Sequence, residues 1–298
     1  MKRGEVNLEV INHLQQIEST NYTVCNYIQC VDTEDRCPLE SRRVEICSWM
    51  YRFADSCNLC RDLVSRAMSY FDRFLMSMIK SNEYNDSIHR IRITESLFLQ
   101  LSALVALNLA FKIHSTHEWN LKHMIKLSHG TFELTELIDM ERKMLNALAW
   151  RLNPPTSAEF VTHFASLLLN MTSNYELANY FDDIVEMAIF LSELALWDSY
   201  FLDHKVSLLA LASLLNAIEL FCSTQKVISI SSLTSFRLIL ESSGLIPRGE
   251  TLCHIRSRVY EVFSRSECSQ EFKCGMLEQP EASQRISQTT FSQVRHQK

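Results

Sequence analysis

The stretch LQLSALVALNLAFK, residues 99–112, is apolar on nearly every side. Leu and Ala dominate it and neither Gly nor Pro interrupts it, which favours a helix. A helix that is apolar all round is normally surrounded by other elements, so we expect this one at the centre of a domain. A second such stretch, VSLLALASLLNAIELF (206–221), begins 107 residues further along the chain. The two stretches predict two domains, each built around one central helix.

Amphipathic helical patterns surround both central stretches, and Asn153-Pro154-Pro155 separates the two groups because consecutive prolines stop a helix. The predicted helices are 42–55, 61–79, 96–112, 120–127 and 134–148, then 156–170, 176–197, 206–221, 231–242 and 249–265. The repeat predicts an all-α protein of two tandem five-helix domains, at 42–152 and 153–266. An N-terminal extension, 1–41, carries a further helix at 6–17. The tail, 267–298, is rich in Gln, Ser, Glu and Thr without periodicity, so we expect it to be disordered.

The composition agrees with a helical, soluble protein. Hydrophobic residues make up 47% of the chain and charged residues 21%, and only 5 Gly and 5 Pro occur, so strands have little support. The net charge of −6 gives no reason to expect nucleic-acid binding. The N-terminus lacks the apolar core of a secretory signal, and the apolar stretches 97–111 and 206–221 are interrupted and too short to cross a membrane. We therefore expect a protein of the nucleus, the cytoplasm or both, with no membrane partner and with its 10 Cys reduced.

The sequence does not support a catalytic function or a metal site. There is no glycine-rich phosphate loop, no GxSxG elbow and no HExxH motif, so we expect no enzymatic activity and no cofactor. Cys57-x-x-Cys60 could supply two zinc ligands, but no second pair of Cys or His residues follows at a useful spacing. The pair lies in the turn between two predicted helices. We therefore interpret these cysteines as structural thiols and expect no metal.

Charged residues at regular spacing add a more specific signal. Arg43 and Asp72 are 29 residues apart, and so are Lys112 and Glu141. Together with Leu101 and the strings SYFDRFL (69–75) and LIDMERKMLNALAWRL (137–152), they resemble the cyclin box. The resemblance covers 42–155 with specific motifs and continues more loosely to about 266. The DRFL and NPPT strings resemble a G1-type member more than a mitotic one.

The resemblance implies a role for each of these residues. Arg43 and Asp72 would form a buried ion pair that locks the box, and a guanidinium can give a carboxylate the two hydrogen bonds that burial demands. Leu101 would belong to the core. Lys112 and Glu141 would project at a protein kinase and bond its backbone near the regulatory helix. The resemblance also implies an apolar surface around them, formed by Leu109, Ile113, Leu145, Trp150 and Leu152.

The sequence departs from the family at the groove that many cyclins use to dock Arg-x-Leu motifs of substrates. The matching positions here are Arg42, Glu45, Ile46 and Trp49, so two of four apolar residues are charged. Arg52 stands where those cyclins carry an acidic residue, and it would repel the cation of the motif. Gln100 does match a docking residue of the family. We expect Arg-x-Leu docking to be weak or absent.

The function implied by the resemblance is that of a regulatory subunit, which binds and activates a serine/threonine cyclin-dependent kinase as a heterodimer and so controls cell-cycle progression. Two alternatives remain open. The chain could be a cyclin-fold transcription-type adaptor, which a basic groove would favour and the net charge of −6 disfavours. It could instead be a scaffold that does not activate a kinase, although core packing alone would not require Lys112 and Glu141. No function is predicted for the long loop at 80–93.

Overall fold

The structure is a computed structural model that describes residues 3–80, 95–115, 125, 128, 130–172, 178–224, 230–246 and 251–266. Over these residues it is all-α, with ten α-helices, two short 3₁₀ helices and no strand, as the sequence predicts. The α-helices are α1 (Arg3–Asn21), α2 (Thr33–Ser56), α3 (Asp62–Lys80), α4 (Ser96–His114), α5 (Leu134–Ala147), α6 (Ser157–Thr172), α7 (Phe181–Ala195), α8 (Val206–Thr224), α9 (Ile230–Ser242) and α10 (Thr251–Arg265). The 3₁₀ helices are Tyr27–Cys30 and Ser199–Asp203.

The chain divides into two compact units, Thr20–Pro154 on the one hand and Met1–Ser19 with Pro155–Lys298 on the other. The division therefore falls at the prolines that separate the two predicted repeats. The predicted N-terminal extension, 1–41, is not a separate part in this division. Its first helix joins the second unit, while Thr33 to Glu40 already belong to α2 of the first.

Helix α4 lies at the centre of the first unit, with α3 and α5 packed along it and α2 alongside. Nearly all its residues from Leu99 to Phe111 are buried, which agrees with the pattern of the sequence. At 19 residues, α4 is longer than the apolar stretch 97–111 and is the one described helix long and apolar enough to cross a membrane by length and composition. The expectation that it is too short is therefore wrong. Its burial against neighbouring helices is what a core helix of a folded domain requires.

Helix α2 begins at Thr33, nine residues before the predicted start, and continues through Pro38. The predicted start of this helix at residue 42 is therefore wrong. Glu34 and Asp35 lie in its first turn, where acidic side chains suit the positive end of the helix dipole. Leu39 is buried and holds this early part of the helix in the core. Residues 81–93 of the predicted loop, most of the predicted helix 120–127 and the tail 267–298 lie outside the described residues.

The second unit places helices α6, α7 and α10 around α8, with α9 packed against α6, so all five helices predicted for this half are present. Helix α1 contributes to the same core, where Ile11 is fully buried. Near the end of α1, the buried Glu18 carboxylate accepts hydrogen bonds from the Ser207 backbone N–H (3.0 Å) and from its hydroxyl (2.7 Å). Ser207 lies in the first turn of α8, so Glu18 caps that helix from a distant part of the chain. Burial raises the pKa of Glu18, although both bonds to Ser207 oppose the shift.

We expect Glu18→Ala to lower the free energy of unfolding by about 1–2 kcal/mol, because α8 loses its cap and a backbone N–H of its first turn is left buried. Urea unfolding followed by circular dichroism measures the change. Glu9→Ala is the matched control, since Glu9 is exposed on the same helix, and it should alter stability by less than about 0.5 kcal/mol. Equal effects of the two substitutions would contradict the role of Glu18 as a cap.

Candidate functional site

A buried ion pair joins α2 to α3. The Arg43 guanidinium donates two hydrogen bonds to the Asp72 carboxylate, Nε to Oδ1 and Nη2 to Oδ2, both at 2.9 Å. The two residues are 2% and 4% exposed. The hydroxyl of Tyr27, in the first 3₁₀ helix, donates a third hydrogen bond to Oδ1 at 2.8 Å. The structure thus joins the pair as the resemblance implies, and it adds Tyr27, which no sequence signal identified.

The environment fixes the ionisation states in this cluster. Burial alone lowers the pKa of the Arg43 guanidinium, but the charge and hydrogen bonds of Asp72 outweigh burial, so that the pKa is raised. The pKa of Tyr27 is raised well above its ordinary value, first by burial and then by the negative charge of Asp72. At neutral pH, Arg43 is therefore charged and Tyr27 is a hydrogen-bond donor. Two side chains donate three hydrogen bonds to one carboxylate, which is what a buried anion needs.

Lys112 and Glu141 meet across α4 and α5. The Lys112 Nζ lies 2.8 Å from Oε1 and 2.7 Å from Oε2 of Glu141, in an ion pair that is partly open to solvent. Asn108, one turn before Lys112 on α4, donates a hydrogen bond from Nδ2 to Oε2 of Glu141 at 3.1 Å. The two charges therefore satisfy each other in the protein alone, whereas the resemblance implied only that both project at a partner kinase.

The turn after α5 exposes an aromatic side chain. Ala149 and Trp150 both have positive φ angles, 50° and 59°. The Trp150 N–H bonds the Leu145 carbonyl and the Ala149 N–H bonds the Asn146 carbonyl, which is the pattern of a Schellman motif. Ala149 occupies the position that Gly usually fills, so the backbone is strained there. The result is that Trp150 is 68% exposed.

Side chains of α3 hold the segment that follows this turn. Arg73 donates hydrogen bonds to the backbone carbonyls of Arg151 and Leu148, and the Tyr70 hydroxyl bonds the carbonyl of Leu152. Further contacts come from Arg66 to the Pro154 carbonyl, His114 to the Leu152 carbonyl, and the Tyr22 ring, which stacks on Arg73. Sequence reasoning missed these residues, because a side chain that bonds a distant backbone carbonyl leaves no local pattern. Burial lowers the pKa of Arg73 and raises that of Tyr70.

Known proteins share this architecture. Residues 9–153 match the family described as "Cyclin, N-terminal domain". Residues 9–153 therefore match a cyclin box. Among similar proteins, G1/S-specific cyclin-D1 of Homo sapiens is 23% identical over 215 residues, which make up 72% of this chain and 65% of that protein. The same protein of Xenopus laevis is 25% identical over 164 residues, 55% of this chain and 50% of that protein.

These alignments span about half to two thirds of the length of the cyclin-D1 relatives. Putative cyclin-B3-1 of Arabidopsis thaliana is 28% identical over 168 residues, which cover 56% of this chain and 36% of that protein. A viral cyclin from herpesvirus saimiri has a similar solved structure, with a TM-score of 0.57 and 20% identity. The similarity covers 86% of this chain and 98% of the viral chain, and it shows the cyclin fold.

The remaining predicted residues of the cyclin box differ in exposure. Ile113 is exposed, while Leu145 and Leu152 are half-buried. Leu109 is only 3% exposed, so it belongs to the core and not to the apolar surface predicted for it, because it faces the helices packed around α4. Leu101, predicted to be core, is half-buried. The binding roles of these residues stay predictions.

Helix α5 adds two exposed apolar residues that the sequence analysis did not single out, Leu134 and Ile138. They lie four residues apart, and Glu141 and Leu145 continue the same face of the helix. Lys112 contacts Glu141 on this face, and Ile113 follows Lys112 in the chain. The backbone N–H of the exposed Trp150 bonds the Leu145 carbonyl, so exposed apolar residues and a charged pair are found along this side of the first unit. We call Leu134, Ile138, Glu141, Leu145, Lys112, Ile113 and Trp150 the α5 face.

The positions of the cyclin docking groove are partly occupied by charges. Arg42 and Glu45 are exposed and pair with each other at 3.0 Å. Ile46 is buried, and Trp49 stacks on Phe53 with 6.2 Å between ring centroids. Arg52 and Gln100 are exposed. The apolar part of this patch is therefore small, and Arg52 adds positive charge to it.

Cys57 and Cys60 are exposed free thiols at the end of α2. Asn58, between them, has a φ of 52°, and the Leu59 N–H bonds the Ala54 carbonyl, so these residues form the C-terminal turn of the helix. Among the residues that the structure describes, no three His, Cys, Asp or Glu side chains are gathered in a way that could hold a metal ion.

We expect Arg43→Leu to lower the free energy of unfolding by about 3–5 kcal/mol, because the Asp72 carboxylate loses the cation that compensates its burial. Urea unfolding measures the change. Arg42→Leu is the matched control: its side chain is exposed and its ion pair lies on the surface, so it should cost less than about 0.5 kcal/mol. A loss below about 1 kcal/mol for Arg43→Leu would contradict the importance of the pair.

We expect Ala149→Gly to raise the free energy of unfolding by about 0.5–1 kcal/mol, because Gly adopts the positive φ of this turn without strain. Ala147→Gly, two residues earlier in helical conformation, should have the opposite sign and cost about 0.5–1 kcal/mol. Thermal unfolding of both variants tests whether the two changes in the free energy of unfolding have opposite signs. Destabilisation by both would show that the turn is not strained.

Proposed function

We propose that this protein is a regulatory subunit that binds a serine/threonine cyclin-dependent kinase and activates it, and that it thereby controls cell-cycle progression. The cyclin box and the cyclin fold support this proposal. The α5 face is the surface proposed for the kinase. The observation that carries the proposal is Trp150, which a strained turn holds 68% exposed at the end of that face. Large exposed aromatics beside apolar stripes are the usual anchors of protein interfaces.

In the proposed complex, the α5 face packs on the regulatory helix of the kinase and moves the glutamate of that helix towards the catalytic lysine. Changing a kinase from about 1% to 99% active requires about 5.5 kcal/mol of differential binding free energy. An apolar stripe that loses contact with water on binding contributes most of it. Lys112 and Glu141 fix the orientation of the bound kinase, since charge-assisted hydrogen bonds to its backbone are directional and contribute about 1.5–3 kcal/mol each.

In this proposal the chain itself catalyses nothing and needs no cofactor, metal, nucleic acid or membrane. It acts in the nucleus, the cytoplasm or both. The adaptor alternative predicts binding to DNA, and the scaffold alternative predicts binding to neither DNA nor kinase. The net charge of −6 disfavours the first alternative. The presence of Lys112 and Glu141 disfavours the second, because core packing alone would not require either residue.

The pairing of Lys112 with Glu141 allows a sharp test. Because the double variant Lys112→Glu/Glu141→Lys keeps opposite charges at the two positions, we expect its helical content and melting temperature to stay close to wild type. Affinity purification from the source cells should recover a cyclin-dependent kinase with the wild type and at least tenfold less with the charge-swapped variant. The Arg142→Glu/Asp139→Arg variant is the matched control, since it swaps an exposed pair on the same helix, α5. Recovery of no kinase by the wild type, or equal recovery by all three proteins, would contradict the proposal.

We also predict that an Arg-x-Leu peptide binds this protein weakly or not at all, because Arg52 repels its cation and charged residues replace part of the docking groove. Isothermal titration calorimetry measures the affinity. Arg52→Glu should strengthen binding if charge is the obstacle. Micromolar affinity of the wild type that is lost on Trp49→Ala would contradict the prediction.

A further inference from the structure

Asn108 is a buried polar residue in the most apolar helix of the first unit. It is 1% exposed, and its neighbours in the chain, Leu107 and Leu109, are buried with it. Its Nδ2 donates a hydrogen bond to Oε2 of Glu141, the same oxygen that Lys112 contacts at 2.7 Å. Asn108 and Lys112 are four residues apart and so lie on one side of α4. Both side chains therefore act on the carboxylate of Glu141.

The chemistry of the two groups fixes the orientation of the Asn108 amide. A carboxylate only accepts hydrogen bonds, so the NH₂ group of Asn108 must face Glu141 and the carbonyl oxygen Oδ1 must point away. Oδ1 is buried and has no hydrogen-bond partner among the described residues. A buried acceptor without a partner lowers stability. A leucine has the same number of heavy atoms and the same branch at Cγ without this cost, so core packing does not account for an asparagine at this position.

The hydrogen bond to Glu141 explains why an asparagine occupies this buried position. The Lys112–Glu141 pair is partly exposed, and exposed ion pairs hold long side chains only weakly. A short amide, buried between packed helices, has little freedom to move. We propose that Asn108 is a positioning residue, which holds the Glu141 carboxylate in place on the α5 face before a kinase binds. This inference rests on the proposed function. An ordered Glu141 carboxylate strengthens kinase binding because less side-chain entropy is lost when the complex forms.

The variant Asn108→Leu separates positioning from a structural role. Since it removes a buried unsatisfied oxygen, we expect its melting temperature to equal or exceed that of the wild type. We expect its affinity for the kinase recovered with the wild type to fall about fivefold to tenfold, as the loss of one positioning hydrogen bond implies. Ser213→Ala is the matched control: Ser213 is buried on α8, its hydroxyl has no partner among the described residues, and it is remote in sequence from Glu141. It should leave kinase affinity unchanged.

A double-mutant cycle tests whether Asn108 acts through Glu141. In a Glu141→Ala background, Asn108→Leu should cause no further loss of affinity, because the group that it positions is gone. Unchanged affinity of Asn108→Leu in the wild-type background would overturn the inference. A further loss of affinity on Asn108→Leu in the Glu141→Ala background would also overturn it. A lower affinity of Asn108→Leu together with a lower melting temperature would do the same, because the loss would then come from reduced stability.

A measurement without kinase keeps the inference distinct from the proposed function. In nuclear magnetic resonance spectra of the isolated protein, the side-chain amide of Asn108, assigned by its absence in Asn108→Leu, should exchange slowly with water and should shift on Glu141→Ala. If the wild type recovers no kinase but this amide responds, the proposed function fails and the positioning contact stands. An amide that exchanges rapidly and does not respond to Glu141→Ala overturns the inference whether or not a kinase binds.

Discussion

The ion pair between Arg43 and Asp72 is the constraint on which the arrangement of the first unit depends. Both charges are removed from water, and burial is tolerable only while the guanidinium, the carboxylate and the Tyr27 hydroxyl keep their hydrogen bonds. This requirement fixes α2 against α3 and ties the preceding 3₁₀ helix to both. Apolar packing around α4 supplies the main driving force for folding, but it is non-directional. The buried pair fixes the orientation of α2 relative to α3.

The same helix α3 connects this pair to the α5 face. Asp72 bonds Arg43 on one side of α3, while Tyr70 and Arg73 reach the backbone carbonyls that follow α5. The strained turn at Ala149 and Trp150 is therefore held between its own Schellman bonds and the side chains of α3. Strain of this kind persists only where surrounding contacts enforce it. The exposed position of Trp150 is thus a product of the packing of the whole unit and not of the local sequence.

Much of the fold could be predicted from the sequence. Helical periodicity and two all-apolar stretches indicated an all-α protein with a central helix in each half, and α4 and α8 begin within a few residues of those stretches. The start of α2 was predicted nine residues too late, because the helical pattern is regular only from residue 42, whereas the buried Leu39 anchors the earlier turns. The capping of α8 by Glu18 could not be predicted, since it joins residues 189 positions apart without a local pattern.

The candidate site was predicted in part. The resemblance to the cyclin box pointed to Lys112 and Glu141, but it could not show that they pair with each other or that Asn108 contacts Glu141. The resemblance placed Leu109 on the surface, and helical spacing could not correct this, because it does not reveal which side of an apolar helix a neighbour covers. The exposure of Trp150 depends on positive φ angles at residues other than Gly, and sequence patterns signal such angles poorly.

Site-specific photo-crosslinking at Trp150 tests the central claim most directly. A photoreactive phenylalanine analogue in place of Trp150, irradiated in the source cells, reports what lies against the α5 face. The account predicts a covalent adduct with a cyclin-dependent kinase, identified by mass spectrometry, and no such adduct from the same analogue in place of Leu238, an exposed apolar residue of the second unit. Absence of a kinase adduct from the Trp150 position, or equal adducts from both positions, would contradict it.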